Sequence, residues 1–334
     1  MSIAYGSTMV IPDLHLEVQS GEVVALLGPS GSGKTTILSA LAGFIPIRSG
    51  EVRLGGRPVA ADGFHLPPER RDVAVVFQSY ALWPHLNAID TIAYPIRRRG
   101  IHAAEARRQA AAMLDRLGIG RLAERRPAEL SGGEQQRVGL GRALAREASL
   151  YLFDEPTAHL DADLREHLQA EIAEQRRRSG AAAIYSTHDT AEALALGDRV
   201  MVMREGRVFQ DGTPALVYER PVDMWVARLT GPAWSVSIRV LEQRDLHAVI
   251  EVAGSTQVVA IASASRPTVG TAAAIVRSDW VRLGGDISAR VDQVAFRGTH
   301  TDYQVSTAAG DLGLRVIGPP TVDRGATVGC TLDR

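Results

Sequence analysis

The chain has 334 residues, of which 45% are apolar and 22% are charged, and its formal net charge is −1. This length is too great for one hydrophobic core, so we expect two domains of ordinary globular composition. The near-neutral charge offers no electrostatic footprint for nucleic acid. The single cysteine, Cys330, cannot form an internal disulfide, which agrees with a reducing cytoplasm.

Membrane-spanning and export signals are missing from the sequence pattern. No window approaches the run of about eighteen apolar residues that a membrane helix needs. The first six residues have neither the basic leader nor the apolar core of a signal peptide. We therefore expect any membrane role to come through a partner protein.

The first predicted elements are short strands. Residues 8–27 alternate apolar and polar side chains, with a turn at Ser20 and Gly21. Tyr5 precedes them, and its ring could either stack on a purine or pack at a domain edge.

A glycine-rich stretch then lies between a buried strand at 22–27 and a helical apolar face that begins at Ile37. It fits the phosphate-binding pattern G-x-x-x-x-G-K-[ST], in which backbone N–H groups converge on phosphate oxygens at the positive end of a helix. Lys34 would reach the β- and γ-phosphates, and the Thr35 hydroxyl would hold Mg²⁺. The stretch predicts an ATP or GTP site formed by Gly28, Pro29, Ser30, Gly31, Ser32, Gly33, Lys34, Thr35 and Thr36.

The next segments are a β-segment at 50–59 and a buried strand at 73–77. Gln78 follows the second of these at its carboxyl end, where ligands gather in open α/β sheets, so its side chain can face the nucleotide. Residues 79–86 hold many large apolar side chains for a loop, which fits either core cover or a docking surface. Residues 103–117 share one apolar helical face and end at Gly118, which predicts a helical insertion.

A second helix start carries two glycines. Ser131 and Glu134 form a capping-box pattern at the beginning of a helix that runs to about Ala148. Gly132 and Gly133 in its first turn are costly unless something approaches the backbone closely. The pattern fits either a second anion-binding helix end or a simple helix start.

Two further buried strands end in candidate catalytic residues. The strand at 150–156 ends in Asp154 and Glu155, and neighbours on a strand point to opposite faces, so the two carboxylates cannot share one task. We assign Asp154 to the Mg²⁺ shell and Glu155 to the water that attacks the γ-phosphate. The strand at 181–186 precedes His188, which could contact the γ-phosphate or position that water.

The closing strands of this region are predicted at 200–203 and 207–210, with a turn at Glu205 and Gly206, and the region ends at Pro214. From about Ser235 short alternating strands with Gly and Pro turns predict a small β-barrel of the OB type. These strands are expected at 236–241, 246–252, 257–261, 273–276, 289–296 and 312–317.

Together these motifs resemble the nucleotide-binding subunit of an ATP-binding cassette (ABC) transporter over residues 5–230. They are similar to the family's Walker A motif, Q-loop, signature motif, Walker B motif, D-loop and switch histidine, carried here by 28–36, Gln78, 130–136, 154–155, Asp161 and His188. The resemblance implies an α/β fold, a P-loop NTPase of ABC type with a mostly parallel sheet. It implies a nucleotide-binding domain at 1–230, with a helical subdomain at about 86–148. A small all-β, OB-like accessory domain of TOBE type is implied at 235–334.

The resemblance also implies a mechanism in which two subunits sandwich two ATP molecules head to tail. Ser131, Gly132 and Gly133 would then act on the partner's nucleotide, and Gln135 and Asp161 are also implied to bind nucleotide. Glu155 would act as the base, while Lys34 and Mg²⁺ hold the phosphates and His188 and Gln78 sense the γ-phosphate and the metal. The implied metal ligands are Thr35, Gln78 and Asp154, and Tyr5 would stack on adenine.

Within the family the chain is most similar to the ATPases of importers for sugars, ferric iron, sulfate, polyamines or phosphonates. This group implies a homodimer at the cytoplasmic face of the membrane, with permease subunits docking near Tyr80 to His85 and an extracytoplasmic substrate-binding protein, and no nucleic acid. The alternatives are an exporter ATPase, a soluble machine acting on nucleic acid, or a regulatory module without turnover. Three departures from the importer pattern are the short segment before Tyr5, the unusual His159 near Asp161, and an accessory region shorter than that of the sugar importers.

Overall fold

The computed structural model describes residues 1–77, 79–157, 174, 180–244, 247–261 and 268–333. These residues form two compact units, Met1–Pro214 and Ala215–Arg334. In chain order the described elements of the first unit are β1 (Ile3–Tyr5), β2 (Thr8–Ile11), β3 (Val23–Leu27), α1 (Lys34–Ala42), β4 (Val52–Leu54), β5 (Arg57–Ala61), β6 (Phe64–His65), β7 (Val73–Val76), α2 (Ala88–Arg98), α3 (Ala103–Arg116), α4 (Gly132–Leu144), β8 (Leu150–Asp154), β9 (Ala182–Thr187), α5 (Thr190–Leu196), β10 (Arg199–Arg204) and β11 (Arg207–Gly212).

A six-stranded sheet forms the centre of the first unit, in the spatial order β11-β10-β3-β9-β8-β7. All neighbouring strands are parallel except the β10–β11 hairpin, so the predicted mostly parallel sheet is confirmed. Strands β3, β8 and β9 are buried at every residue. Their nearly continuous apolar runs fit a sheet that is covered on both faces.

Helices α2, α3 and α4 form the helical insertion that the sequence predicts. Asn87 caps α2 by accepting the Asp90 N–H at 2.9 Å. The helices share a buried apolar cluster that includes Ile92, Leu114 and Leu140. Helix α4 ends at Leu144, four residues before the predicted Ala148. In the described part of the chain, none of the helices combines the length and apolar character needed to cross a bilayer.

The second unit is mainly β-structure, as predicted. After the short helices α6 (Pro214–Glu219) and α7 (Met224–Thr230) it contains β12 (Ala233–Arg244), β13 (His247–Val252), β14 (Ser255–Ala260), β15 (Gly270–Arg277), β16 (Val281–Phe296), β17 (His300–Thr307), β18 (Gly310–Ile317) and β19 (Thr327–Leu332). These strands form two four-stranded antiparallel sheets, β14-β13-β12-β15 and β18-β17-β16-β19, around one apolar cluster. Strands β17 and β19 were not among the six expected from the sequence.

The division between the units falls at Pro214, earlier than the boundary at 230 to 235 expected from the sequence. A buried arginine of β15 gives the physical reason. Arg277 donates to the backbone carbonyls of Tyr218 at 2.8 Å and Ala227 at 3.0 Å, and to the Thr230 hydroxyl at 2.8 Å. These bonds attach α6 and α7 to the β-sheets of the second unit.

Candidate nucleotide site

The carboxyl ends of β3, β9 and β8 lie side by side, because Leu27 pairs with Thr187 and Asp154 pairs with Ser186. The glycine-rich loop follows β3, the two carboxylates close β8, and His188 follows β9. The sheet therefore brings three separate sequence motifs to one edge.

The glycine-rich loop leads directly into α1. Gly33 has a φ of 98°, a left-handed conformation that glycine adopts without strain. A Cβ on Gly28 would lie 2.3 Å from the carbonyl oxygen of Met203, so only glycine fits this approach. The first intrahelical bond of α1 is from Ile37 N–H to the Gly33 carbonyl, and neither a capping side chain nor an acidic residue occupies the first turn. The N–H groups of this turn are thus available to an anion.

Lys34 is buried within the loop, with 5% of the residue exposed. Its Nζ donates to the carbonyls of Gly28 at 2.7 Å and Pro29 at 3.1 Å, and lies 4.0 Å from Glu155 Oε1. Burial lowers the pKa of Lys34, while the negative charges of Glu155 and Asp154 oppose that shift.

Asp154 joins α1 to the sheet. Its Oδ1 accepts hydrogen bonds from the Thr35 hydroxyl at 3.0 Å and from the Ser186 hydroxyl at 2.7 Å. Sequence reasoning missed Ser186, because one serine in a buried strand has no distinctive spacing. The available signal was its position at the end of a buried strand, directly before Thr187 and His188.

Glu155 and His188 form a pair at the same edge. His188 Nδ1 lies 3.1 Å from Glu155 Oε2, with the His188 side chain 59% exposed and that of Glu155 16% exposed. Strand β8 ends at Asp154, and Glu155 has a φ of 46°, a strained conformation for a residue with a side chain. Its N–H is held by the carbonyl of Ser186 at 3.1 Å and the hydroxyl of Ser186 at 3.2 Å. The two carboxylates are thus separated by this turn, and not by the strand alternation that the sequence suggested.

The helix start at α4 has the predicted capping box. The Ser131 hydroxyl accepts the Glu134 N–H at 3.4 Å, and Glu134 Oε2 accepts the Ser131 N–H at 2.8 Å. The hydrogen bond from the Ser131 backbone N–H to the Glu134 carboxylate is the largest cause of the lowered pKa of Glu134. The Gln135 amide donates to the carbonyls of Pro127 and Leu130. Within the described residues, no hydrogen bond or ion pair joins this turn to Lys34 or Glu155.

The remaining predicted site residues divide into two groups. Tyr5 lies on β1, half exposed, opposite Thr8 of β2. Gln78 and Asp161, together with the unusual His159, lie outside the described residues.

The donor set fits a triphosphate with Mg²⁺. Ser32 is 2% exposed, and its hydroxyl has no hydrogen-bond partner among the described residues, although buried polar groups are normally paired. Phosphate oxygens in the loop would supply that partner. Thr35 and Asp154 offer the oxygen ligands that Mg²⁺ prefers when substrate phosphates and water complete its shell.

Comparison with known proteins agrees with this geometry. The ABC transporter family model matches residues 11–158, and the TOBE domain model matches residues 274–334. The chain is 42% identical to the Fe(3+) ions import ATP-binding protein FbpC 1 of Rhizobium meliloti (strain 1021), over 96% of this chain and 89% of that protein. It is 39% identical to the spermidine/putrescine import ATP-binding protein PotA of Thermobifida fusca (strain YX), over 90% of this chain and 79% of that protein.

Solved structures support the same assignment. An ATP-binding cassette solved as a dimer in a post-hydrolysis state with ADP and Pi aligns with a TM-score of 0.58 and 28% identity, covering 64% of this chain and 95% of that one. An ATP-binding subunit of an ABC transporter aligns with a TM-score of 0.58 and 30% identity, covering 65% and 88%. The resemblance seen in the sequence is confirmed: the chain belongs to the ABC transporter family, as an ATPase subunit with a C-terminal TOBE domain.

Proposed function

We propose that this ATPase energises the import of a small solute through a membrane permease, at the cytoplasmic face of the membrane. The observation that carries the proposed hydrolysis is a chain of side-chain contacts at the sheet edge. Thr35 reaches Asp154, and Lys34 approaches Glu155, which in turn contacts His188. The import function is supported by relatives that are named import ATP-binding proteins and align over nearly the whole chain.

The side chains divide the work of hydrolysis. Lys34, poorly solvated in its loop, gains a partner of opposite charge when phosphate binds beside it. Thr35 and Asp154 would hold Mg²⁺, which neutralises charge that develops on the phosphates. Glu155 accepts the proton of the attacking water, and His188 holds one oxygen of that carboxylate, so that the other can face the water. Gln78 is proposed to sense the metal, and Tyr5 is proposed to stack on adenine.

A second copy completes the proposed site. Gly132 is exposed at the start of α4, and a Cβ there would meet no atom of its own chain within 4 Å. Intrachain packing therefore does not require this glycine, whereas a nucleotide on a facing subunit would. We assign Ser131, Gly132, Gly133 and Gln135, with Asp161, to the partner's nucleotide. The dimeric cassettes among the structural relatives support this arrangement.

The loop that follows Gln78 is the proposed docking site for the permease. It borders an open groove of about 700 Å³ whose aromatic lining includes Phe77, Trp83 and Tyr94. The Trp83 and Tyr94 rings meet edge to face with centroids 4.9 Å apart. Arg142 of α4 donates to the Tyr80 carbonyl at 3.1 Å and lies over the Trp83 ring. A partner segment with apolar side chains would fit this groove.

The experiment that tests catalysis is a Glu155→Gln variant of the full chain. Removing the base should trap ATP with unchanged affinity and reduce phosphate release by about a hundredfold or more. Unchanged turnover would remove Glu155 from the mechanism. Import is tested by copurifying the permease and measuring which loaded binding protein, ferric iron or spermidine first, accelerates phosphate release. Acceleration without any binding protein would favour an exporter.

A further inference from the structure

A buried carboxylate lies behind the Glu155 and His188 pair. Glu192, in the first turn of α5, is 4% exposed and faces hydroxyl groups that are themselves buried. The Thr157 hydroxyl donates to its Oε1, and the Thr187 hydroxyl donates to its Oε2 at 2.8 Å. The Tyr185 hydroxyl lies 3.2 Å from Oε2 and 3.1 Å from Thr157 Oγ1. Hydrogen bonds of this kind offset the cost of burying a charge.

The two threonines come from the two catalytic turns. Thr157 is two residues after Glu155, and the fixed φ of Pro156 between them limits how far the two can move independently. Thr187 immediately precedes His188 at the end of β9. Glu192 therefore links the turn that carries the base to the strand end that carries the histidine.

Strand alternation explains how β9 contacts both Asp154 and Glu192. Neighbouring residues of β9 point to opposite faces of the sheet. Ser186 reaches Asp154 and the Glu155 N–H on one face, while Thr187 and Tyr185 reach Glu192 on the other. The Thr187 hydroxyl also accepts the Asp189 N–H at 2.9 Å, and Asp189 caps α5. The end of β9 is thus held from both sides.

We propose that Glu192 is a positioning residue for ATP hydrolysis: through Thr157 and Thr187 it holds Glu155 and His188 at hydrogen-bonding distance. Glu192 touches neither nucleotide nor water in this role. The inference rests on the proposed function of Glu155 and His188. Without the link, the base would sample positions too far from the attacking water, which slows chemistry without weakening nucleotide binding.

The test uses isosteric pairs in the full chain. Thr157→Val and Thr187→Val remove the hydroxyl and keep the shape, whereas Thr157→Ser and Thr187→Ser keep the hydroxyl. Each valine variant should lower kcat for phosphate release by roughly 10- to 100-fold, with KM for ATP changed by less than about twofold. Each serine variant should recover most of the lost rate. Thr91→Val is the matched control, since Thr91 is 1% exposed and its hydroxyl donates to the carbonyl of Asn87, the capping residue of α2.

The outcomes separate this inference from the proposed function. Wild-type kcat in both valine variants would overturn it, and so would a parallel loss of ATP affinity and thermal stability that Thr91→Val does not show. If Glu192→Ala folds, the double variant Glu192→Ala/Thr157→Val should have the same kcat as Glu192→Ala alone, because both changes break the same link. If Glu155→Gln itself retains turnover, the proposed function fails whatever these variants do.

Discussion

The hydroxyl of Thr35 donates a hydrogen bond to Asp154 Oδ1 at 3.0 Å, although 119 positions separate the two residues in the chain. Thr35 lies in the first turn of the helix that follows the phosphate loop, and Asp154 is the last residue of a buried strand. The two side chains that we propose as oxygen ligands for Mg²⁺ are therefore adjacent within a single chain.

An Asp154→Asn variant should lose Mg²⁺-dependent hydrolysis. The amide keeps the shape but removes the charge, so phosphate release should fall by about a hundredfold or more, while ATP still binds without metal. A Mg²⁺ titration of ATP binding and turnover measures both. The matched control is Asp211→Asn, which breaks a partly exposed ion pair with Arg199 at 3.0 Å and should leave the metal dependence unchanged. Wild-type Mg²⁺ dependence in Asp154→Asn would contradict the assignment.

A Gly132→Ala variant separates the intersubunit role from folding. A Cβ at this position meets no atom of its own chain within 4 Å, and alanine is the better helix former, so the free energy of unfolding should stay constant or rise by at most about 1 kcal/mol. Turnover should nevertheless fall, because the added methyl group enters the space assigned to the partner's nucleotide.

Three measurements on Gly132→Ala are needed: phosphate release, thermal unfolding and ATP-dependent dimerisation. If the variant is as active as the wild-type chain and dimerises normally, the partner's nucleotide does not approach this turn. A loss of thermal stability would instead mean that Gly132 has a packing role within its own subunit.

The sequence was most informative where a motif fixes both residue type and spacing. The phosphate loop, the Ser131 capping box and the buried strands that end at Asp154 and Thr187 were all found this way, because each depends on local chain geometry. The strand order then places the phosphate loop and the ends of these two strands at one edge without further information.

Single polar residues in apolar strands and helices gave no such signal. Ser186 and Glu192 acquire meaning only when β9 is paired with β8 and followed by α5. The left-handed conformation of Glu155 could likewise not be predicted from the sequence, since it is held by hydrogen bonds to Ser186 across the sheet. The sequence also offered no sign that Arg277, about fifty residues downstream, bonds the helices at 214–230 to the β-strands of the second unit.

An Arg277→Met variant should destabilise the second unit. Arg277 is completely buried, and methionine fills similar volume but leaves the carbonyls of Tyr218 and Ala227 without its hydrogen bonds. Losing the hydrogen bonds that a buried guanidinium donates to Tyr218, Ala227 and Thr230 should cost about 3 kcal/mol. Calorimetry of the full chain should show the loss in the transition of the second unit, with ATP affinity unchanged. The exposed Arg290→Met is the control, expected within about 0.5 kcal/mol of the wild-type chain.

The second unit should also lose stability at alkaline pH through Tyr218. Burial raises the pKa of this phenol to about 12, and its hydrogen bond to Asp279 and the charge of that carboxylate add to the shift. In the unfolded chain the phenol titrates near its ordinary pKa of about 10. Between these values the folded state keeps a proton that the unfolded state has lost, so the free energy of unfolding is unaffected below about pH 10 and falls as pH rises towards 12.

Tyr218→Phe tests this directly, because it removes the titrating group and keeps the ring that stacks on Arg277 at 3.9 Å. Urea unfolding across the alkaline range should show a weaker pH dependence in the variant than in the wild-type chain. An ultraviolet difference titration of the two proteins isolates the phenolate of Tyr218. If that phenolate forms with a pKa near 10, the phenol is neither desolvated nor held by Asp279 in solution, and the alkaline loss of stability must come from other groups.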